Sequence, residues 1–309
     1  MKPRILILVD MPGWALDRTA GNVIRRLSTR YRFEKVFNRD AEAALDRADF
    51  DLAYLCYWRQ FQDAAIERAV PRPAITGVRS HFKWDGGRGL PPSGTIINAL
   101  RRFDAVNVPS RILYDTFRYR HPAVFYTPHG VDETIFSPGA RKSSRAGRLV
   151  LGWAGSLSNH PGKRGLDEFL LPALKGLSGV ELRLAARERV MRTQAEMVEF
   201  YRGLDAYICT SRTEGGPHPL LEAAACGVPL ISTPVGLAPQ LISHGDNGLI
   251  IERDSAAIRR AVTALRDQRD LRVAMGRRAR EIIEHAWTWD MQAPAYIDFF
   301  EYGLAQSHV

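Results

Sequence analysis

The chain has 309 residues, of which 45% are hydrophobic and 25% are charged. This length and balance are normal for a soluble globular protein with two domains of ordinary size. No run of 18 apolar residues is present, which argues against a membrane-spanning helix. The three cysteines, Cys56, Cys209 and Cys226, are odd in number and have no CxxC spacing. We therefore expect buried thiols in a reducing compartment and no zinc site.

The formal net charge of +9 is concentrated in the first half of the chain. Residues 1–148 hold 25 Lys and Arg against 15 Asp and Glu, whereas residues 149–309 hold 18 against 19. Such an excess attracts anionic partners, although an arginine-rich solvated surface explains it equally well. The basic stretch Arg111–Arg120 is a candidate for contact with an anionic membrane or glycan. We expect a cytoplasmic protein, either free or peripheral on the inner face of the membrane.

In chain order, short apolar runs alternate with segments of helical periodicity. The first run, Arg4–Asp10, is too short for a signal peptide and predicts a strand. The further predicted strands of the first half are Asp51–Tyr57, Pro73–Ser80, Asp104–Ser110 and Ala123–Pro128. The predicted helices of this half are Gly21–Arg30, Gln60–Val70 and Arg111–Tyr119.

The second half repeats this alternation. Its predicted strands are Arg148–Gly155, Val180–Ala185, Asp205–Ser211, Pro229–Thr233 and Gly248–Glu252. Its predicted helices are Arg164–Gly176, Gln194–Gly203, Pro219–Cys226, Ala256–Asp267 and Leu271–His285. Apolar strands between helices indicate parallel sheets covered on both faces, so the predicted fold class is α/β with two doubly wound, Rossmann-like domains.

The domain boundary is predicted near Ser137–Gly147, where Pro, Gly, Ser and Arg cluster and apolar residues are few. This gives an N-terminal domain of residues 1–142 and a C-terminal domain of residues 143–288. Residues 289–309 are predicted to form a last helix. Its aromatic content indicates that it packs against the rest of the protein.

The segment richest in functional signals is Ser211–Gly236, SRTEGGPHPLLEAAACGVPLISTPVG. A predicted strand ends in Gly215 and Gly216, which allow a ligand to approach the backbone closely. Pro217 and Pro219 suit the first turn of the helix that follows. The free N–H groups of such a helix start, at the carboxyl end of a strand, bind phosphate groups.

Two carboxylates, Glu214 and Glu222, lie in this loop and in this helix. Glu222 interrupts an otherwise apolar helix, which Gly227 is placed to terminate. A charge there needs a partner, and the hydroxyls of a polyol such as ribose are good donors to it. A neighbouring cation such as Arg212 is the alternative partner.

The motif Glu214-x7-Glu222 resembles the E-x7-E signature of retaining GT-B glycosyltransferases of the group-1 type, related to bacterial mannosyl- and glucosyltransferases. The surrounding residues that share in this resemblance are Gly215, Gly216, Pro219, Ala223, Gly227, Pro229 and Gly236. Further similar segments are Pro128–Asp132, Ala206–Ser211, Gly245–Gly248 and the last helix from Trp289. The resemblance covers the chain well from about residue 110 onward and only loosely over residues 1–110. It implies two domains that face a central cleft, with the last helix crossing back to the first domain.

The resemblance also implies roles for individual residues. Glu214 would contact the donor sugar beside the amides of Gly215 and Gly216, and Glu222 would hold the ribose. Lys163 and Arg164 would neutralise the leaving diphosphate in place of a metal. Further donor contacts are expected from Gly155, Ser156, Pro217, His218 and Leu221.

This chain departs from the family in the same region. Ser156 stands where the family usually has an arginine, and Arg164, preceded by Lys163, stands where it usually has a lysine. Either Lys163 and Arg164 act alone, or another arginine such as Arg187 contributes. The stretch between Val180 and Asp205, which in the family usually binds the base, is short. The sequence therefore does not predict which nucleotide base is preferred.

Four residues of the first half are weaker candidates. His81 ends a predicted strand where family members often have a histidine that contacts the donor sugar or the acceptor. Gly13, in the loop Met11–Ala20, and Gly21, expected at the start of the first helix, resemble a glycine-rich loop beside the diphosphate. His129 precedes the domain boundary and is expected to contact the acceptor.

The resemblance implies transfer of a sugar from a nucleotide diphosphate-sugar to a hydroxyl of a glycan, glycolipid or small molecule, with retained configuration and no metal or other cofactor. Asp49-Phe50-Asp51 fits a DxD metal pattern but precedes a strand at the wrong end of the chain for the donor. No nucleic-acid-binding module is recognisable. The alternatives are a nucleotide-sugar epimerase, a phosphorylase or hydrolase of the same fold, or a non-catalytic subunit that binds a nucleotide-sugar or an anionic surface.

Overall fold

The computed structural model describes residues 1–41, 49–81, 91–140, 144–158 and 162–306. The chain divides into two compact units, the first formed by Met1–Gly130 with Trp289–Val309 and the second by Val131–Thr288. The last helical segment therefore groups with the first unit. Within the described ranges, no helix is long and apolar enough to cross a membrane.

The first unit contains a six-stranded parallel sheet in the order β2-β1-β3-β4-β5-β6. Its strands are β1 Arg4–Val9, β2 Arg32–Phe37, β3 Leu52–Leu55, β4 Ala74–Gly77, β5 Ala105–Val108 and β6 Val124–Tyr126. Its α-helices are Ala15–Leu27, Ala64–Ala69, Gly94–Leu100, Arg111–Phe117, Trp289–Gln292 and Ala295–Ala305, with 3-10 turns at Asn38–Asp40 and Trp58–Gln62.

The last helix, Ala295–Ala305, supplies a large part of the core of the first unit. Phe299 and Phe300 are fully buried. The ring of Phe300 lies 5.6 Å from that of Tyr31 and 5.7 Å from that of Tyr54, both edge to face. Gly303 permits this close packing, because a Cβ there would lie 2.8 Å from a methyl group of Leu52 in β3. Tyr296, Phe299 and Phe300 are core residues, as the sequence predicted, whereas Tyr302 is 37% exposed, so the prediction is wrong for that residue.

The second unit contains a five-stranded parallel sheet in the order β11-β10-β9-β7-β8. Its strands are β7 Leu149–Gly155, β8 Val180–Ala186, β9 Ala206–Cys209, β10 Leu230–Ser232 and β11 Gly248–Ile250. Its α-helices are Leu171–Leu174, Gln194–Arg202, His218–Ala225, Ala238–Leu241, Ser255–Asp267 and Arg269–Ile282, with π-helical turns at Leu166–Leu170 and Ile283–Trp287. The α/β fold class with two Rossmann-like units is confirmed.

The strand order places a topological switch point in each unit. In the second sheet, β7 lies between β8 and β9, so the chain leaves β7 toward one side and later returns to the other. In open α/β sheets, ligands bind outside the carboxyl ends of the strands at such a point. The first sheet has the same arrangement between β1 and β3.

The structure adds elements that the sequence did not predict and corrects one helix start. Strand β2 was missed because it is an edge strand, RFEKVF, in which only Val36 is buried. The helix Gly94–Leu100 was also missed. The first helix begins at Ala15, so the prediction that Gly21 lies at its start is wrong. The buried residues Thr19, Ala20, Val23 and Leu27 have helical spacing and extend the helix back before that glycine.

We expect Phe300→Ala to lower the free energy of unfolding of the first unit by about 3–5 kcal/mol, since it removes a fully buried ring from the aromatic core. Hydrogen exchange followed by mass spectrometry separates the two units, and peptides of β1, β3 and β4 should exchange faster in the variant. Met291→Ala changes a side chain that is 53% exposed in the same unit and is the control. Unchanged exchange in Phe300→Ala would contradict the assigned packing.

Candidate active site

A cluster of charged groups lies at the switch point of the second sheet. Glu214 Oε1 accepts a hydrogen bond from Arg164 Nη1 at 2.9 Å, and its Oε2 lies 3.8 Å from Lys163 Nζ. Ser211 Oγ donates to the same Oε1 at 2.8 Å. Glu214 is 9% exposed. The structure thus brings together three predicted site residues, two that follow β7 and one that follows β9.

The backbone of the two loops is fastened together beneath this cluster. Thr210 Oγ1 donates to the carbonyl of Arg164 at 2.7 Å, and the amide of Arg212 donates to the carbonyl of Lys163 at 2.8 Å. Gly165 has a φ of +65°, and a Cβ there would lie 2.6 Å from the carbonyl oxygen of Thr210. The close approach therefore needs glycine at this position.

Arg253 strengthens the same junction from a third loop. Its Nε donates to the carbonyl of Thr210 at 3.0 Å, and its Nη2 donates to the carbonyl of Gly162 at 2.5 Å. Its guanidinium also lies 4.4 Å above the ring of Phe169. Arg253 therefore fixes the segment that carries Lys163 and Arg164, although no motif drew attention to it.

The carboxylate of the cluster favours the charged form of Arg164. The pKa of the Arg164 guanidinium is raised, chiefly by the carboxylate of Glu214, against the opposing effect of burial. Burial raises the pKa of the nearby Cys209 thiol, and Glu214 adds to this. The three cysteines are buried and unbridged, as predicted, and the pKa values of Cys56 and Cys226 are raised to about 12, so these thiols stay neutral at ordinary pH.

The glycine loop and the helix His218–Ala225 follow directly from Glu214. Gly236, with a φ of +54°, packs against this loop, since a Cβ there would lie 2.5 Å from the carbonyl oxygen of Gly215. Pro217 precedes the helix as its N-cap, and His218 is its first residue. Leu221 is 1% exposed and belongs to the core of the unit, so a donor contact of its side chain stays a prediction.

The end of this helix agrees with the sequence prediction. Gly227 has a φ of +73°, and its amide donates to the carbonyl of Ala224 at 2.9 Å. The amide of Val228 donates to the carbonyl of Ala223 at 3.0 Å. These two bonds form a Schellman motif, which requires a left-handed residue at the position of Gly227.

Glu222 lies inside this helix and is 5% exposed. Its Oε2 accepts a 2.7 Å hydrogen bond from the hydroxyl of Tyr201, which is itself fully buried. Tyr201 belongs to the neighbouring helix Gln194–Arg202. One oxygen of the carboxylate is thus oriented by a tyrosine from a different helix. Sequence reasoning did not identify this residue, since a tyrosine in an amphipathic helix looks like core.

The loop that follows β7 is held by a carboxylate that the sequence did not single out. Ser156 Oγ donates to Glu188 Oε1, and the amide of Leu157 donates to Glu188 Oε2 at 2.9 Å. The amide and hydroxyl of Ser158 donate to Oε1 at 3.2 and 2.8 Å. These bonds hold the pKa of Glu188 far below its usual range, with the Ser156 bond contributing most. Arg187, the alternative cation, has its amide 3.3 Å from the carbonyl of Gly155.

The candidates of the first unit lie in different surroundings. Gly13 has a φ of +75° in the loop after β1, and its amide donates to Asp17 at 2.8 Å. Gly21 lies within the first helix and outside that loop. His81 is partly exposed just beyond β4. His129 is 4% exposed, with its ring edge to face with that of Trp289 at 6.4 Å. Their roles toward a donor or an acceptor stay predictions.

The DxD-like residues have a structural position. Asp51 accepts a hydrogen bond from the amide of Arg4 at 2.7 Å, at the amino ends of β1 and β3. This is the edge of the sheet opposite the switch point. Across the described residues, no group of three or more His, Cys, Asp or Glu side chains is arranged to hold a metal ion.

Comparison with known proteins identifies a family segment in the second unit. Residues 182–282, which include Glu214 and Glu222, match the family described as Glycosyl transferases group 1. A GDP-mannose-dependent alpha-(1-6)-phosphatidylinositol monomannoside mannosyltransferase of Mycobacterium tuberculosis is 40% identical over 80 residues. That match covers 26% of this chain, and the chain spans only about a fifth (21%) of that relative.

Solved structures resemble the chain over nearly its whole length. A sucrose-phosphate synthase from Thermosynechococcus elongatus superposes with a TM-score of 0.82 at 13% identity and covers 99% of this chain and 100% of its own. HepE of Anabaena, in complex with UDP and glucose, gives a TM-score of 0.70 at 15% identity, over 97% of this chain and 99% of its own. These structures have the GT-B fold. Residues 182–282 are therefore similar to the group 1 glycosyl transferases, and the chain that carries them has the GT-B fold.

Proposed function

We propose that this protein transfers a sugar from a nucleotide diphosphate-sugar to a hydroxyl acceptor, with retention of configuration and without a metal. The observation that carries the proposal is the cluster of Glu214, Lys163 and Arg164 at the switch point of the second sheet. It lies beside the glycine loop that leads into the helix His218–Ala225. The match to group 1 glycosyl transferases includes Glu214, the glycine loop and this helix. Lys163 and Arg164 precede the matched residues.

In this reaction the bond between the anomeric carbon and the diphosphate oxygen breaks, and a bond to the acceptor oxygen forms. Negative charge develops on the departing phosphate, and two fixed cations beside it lower the barrier as a metal would. Lys163 and Arg164 supply these cations. The acceptor proton passes to the departing phosphate oxygen, so the acceptor attacks the face that the phosphate leaves, which retains the configuration.

In this proposal the two glutamates contact different parts of the donor. Glu214, held by Ser211 and the two cations, accepts hydrogen bonds from the sugar hydroxyls. Glu222 accepts from the ribose hydroxyls through the carboxylate that Tyr201 orients. The donor contacts between the two glutamates come from Gly215, Gly216, Pro217 and His218. The phosphate end of the donor lies at Gly155 and Ser156.

The donor and acceptor classes rest on general chemistry and on the relatives. The Mycobacterium relative is named for GDP-mannose and for a phosphatidylinositol mannoside, and HepE binds UDP and glucose. These names support a nucleotide-sugar donor and leave the base open. We assign acceptor contacts to His129 and sugar or acceptor contacts to His81, with Gly13 beside the diphosphate.

We also propose that the first unit contacts anionic membranes. The segment Arg111–Arg120 exposes Arg111, Arg118 and Arg120, and Tyr119 is 80% exposed. The guanidinium of Arg118 lies 4.5 Å from the ring of Tyr119, which gives a basic and aromatic surface. Such a surface suits the interface of a bilayer that contains acidic lipids.

The assignment of Glu222 predicts weaker nucleotide binding when its charge is removed. Glu222→Gln, which keeps the shape and an acceptor for Tyr201, should raise the Kd of the preferred nucleoside diphosphate about tenfold to a hundredfold. The measurement is a thermal-shift panel with UDP, GDP, ADP and TDP, followed by calorimetry. Glu199→Gln alters an exposed carboxylate near Tyr201 and is the control. Unchanged affinity in Glu222→Gln would contradict the site.

The assignment of the cations predicts a loss of turnover. Lys163→Ala and Arg164→Ala should each lower kcat about 10²–10³-fold with a cognate donor and acceptor, because the leaving charge loses a fixed partner. Arg260→Ala, on an exposed part of the same unit, should leave kcat unchanged. Activity should survive EDTA, and NMR of the product should show the anomeric configuration of the donor. A metal requirement or an inverted product would overturn the proposed mechanism.

The membrane proposal predicts binding that depends on lipid charge. The protein should co-sediment with vesicles that contain phosphatidylserine and remain in the supernatant with neutral phosphatidylcholine vesicles. Replacement of Arg111, Arg118 and Arg120 by Ser should reduce binding by about 1 kcal/mol for each cation near the surface. Equal binding to both kinds of vesicle would rule out this contact.

A further inference from the structure

The loop after β7 forms a compact set of hydrogen-bond donors. The amides of Leu157 and Ser158 and the hydroxyls of Ser156 and Ser158 all point to the carboxylate of Glu188. Within the part of the chain that the structure describes, neutral donors alone bond to these oxygens. A carboxylate is therefore bound here in the way that proteins bind a phosphate oxygen, by amides and hydroxyls.

This set of donors lies next to the proposed leaving-group cations. It follows immediately after Gly155, and a Cβ on that glycine would lie 2.9 Å from Cδ of Arg164. A cavity of about 100 Å³ has Ser156, Leu157 and Arg164 among its lining residues. The negative charge of Glu188 also contributes to the raised pKa of Arg164, after that of Glu214.

Glu188 reaches this loop from the end of another strand, and its side chain is exposed. It follows β8, one of the two edge strands of the sheet. An exposed carboxylate that leaves its partners is solvated by water, which offsets part of the hydrogen bonding that it loses. The donors themselves belong to the backbone and to short side chains.

We propose that the amides of Leu157 and Ser158, with the hydroxyls of Ser156 and Ser158, are a binding site for a phosphate group of the donor, and that Glu188 occupies this site until the donor displaces it. The inference rests on the proposed function, since it assigns a phosphate subsite to the same donor. It gives Ser156, which replaces the usual arginine of the family, a neutral donor role. It makes Glu188 an internal competitor that sets donor affinity.

The competition has a direct thermodynamic consequence. When a ligand must displace an occupant, its apparent Kd is its intrinsic Kd divided by the fraction of molecules in which the site is vacant. If Glu188 occupies the site in about nine molecules of ten, its removal tightens phosphate binding about tenfold. A carboxylate that merely held the loop in shape would have the opposite effect, because its removal would loosen the donors.

The test compares Glu188→Ala and Glu188→Gln with the wild-type chain by isothermal titration calorimetry. The probes are inorganic diphosphate, the best of UDP, GDP, ADP and TDP, and the matching nucleoside without phosphate. Both variants should bind the two phosphate probes more tightly, Glu188→Ala by about tenfold. Affinity for the nucleoside should not change. Adding Ser158→Ala to Glu188→Ala should reverse part of the gain, since it removes one donor.

Glu181→Ala is the matched control, because this exposed carboxylate lies in β8 and pairs with Arg183. It should bind all probes as the wild type does. Equal or weaker binding of diphosphate by Glu188→Ala, with an unchanged melting temperature, would overturn the inference and leave the proposed function intact. A wild-type chain that binds none of the four nucleoside diphosphates would instead refute the proposed function.

Discussion

The ion cluster of Glu214, Lys163 and Arg164 is the interaction on which the candidate site depends. A carboxylate that is 9% exposed is costly unless cations and hydrogen bonds surround it, and two adjacent cations repel each other without it. The cluster carries a net charge of +1, so it holds itself together and still attracts an anion. Its geometry follows from the neighbouring positions of β7 and β9, whose exit loops are joined by Thr210, Gly165 and Arg253.

Much of the fold was predictable because parallel strands buried on both faces appear in the sequence as continuous apolar runs. The strand Arg32–Phe37 lacked this signal, since an edge strand with charged residues at Glu34 and Lys35 resembles a loop. The early start of the first helix was missed for another reason. Gly21 looked like an entry to the helix, whereas the helical spacing of Ala20, Val23 and Leu27 determined where it runs.

The residues of the candidate site also differ in how far the sequence predicted them. Residues near one another in the chain, such as Glu214, Gly215 and Glu222, were identified from their spacing and from the resemblance. Partners that are distant in sequence were not, and Tyr201, Arg253 and Glu188 became visible only in three dimensions. The sequence showed that Glu222 needed a partner, because burial of a lone charge is costly. It could not show that a tyrosine of the preceding helix provides it.

Ser156 and Glu188 both make the phosphate end of the candidate site less positive. The resemblance implies an arginine at the position of Ser156, so the serine removes a positive charge, and the carboxylate of Glu188 adds a negative one nearby. In the proposed reaction both changes weaken the attraction for a diphosphate, while Lys163 and Arg164 stabilise the charge that develops in the transition state. Weaker ground-state binding with retained transition-state contacts favours turnover over affinity. In the same proposal it also eases departure of the nucleoside diphosphate product, and product release is the slow step of many enzymes. Under the proposed function, the departure from the pattern of the resembling family adjusts the release of product and is compatible with catalysis.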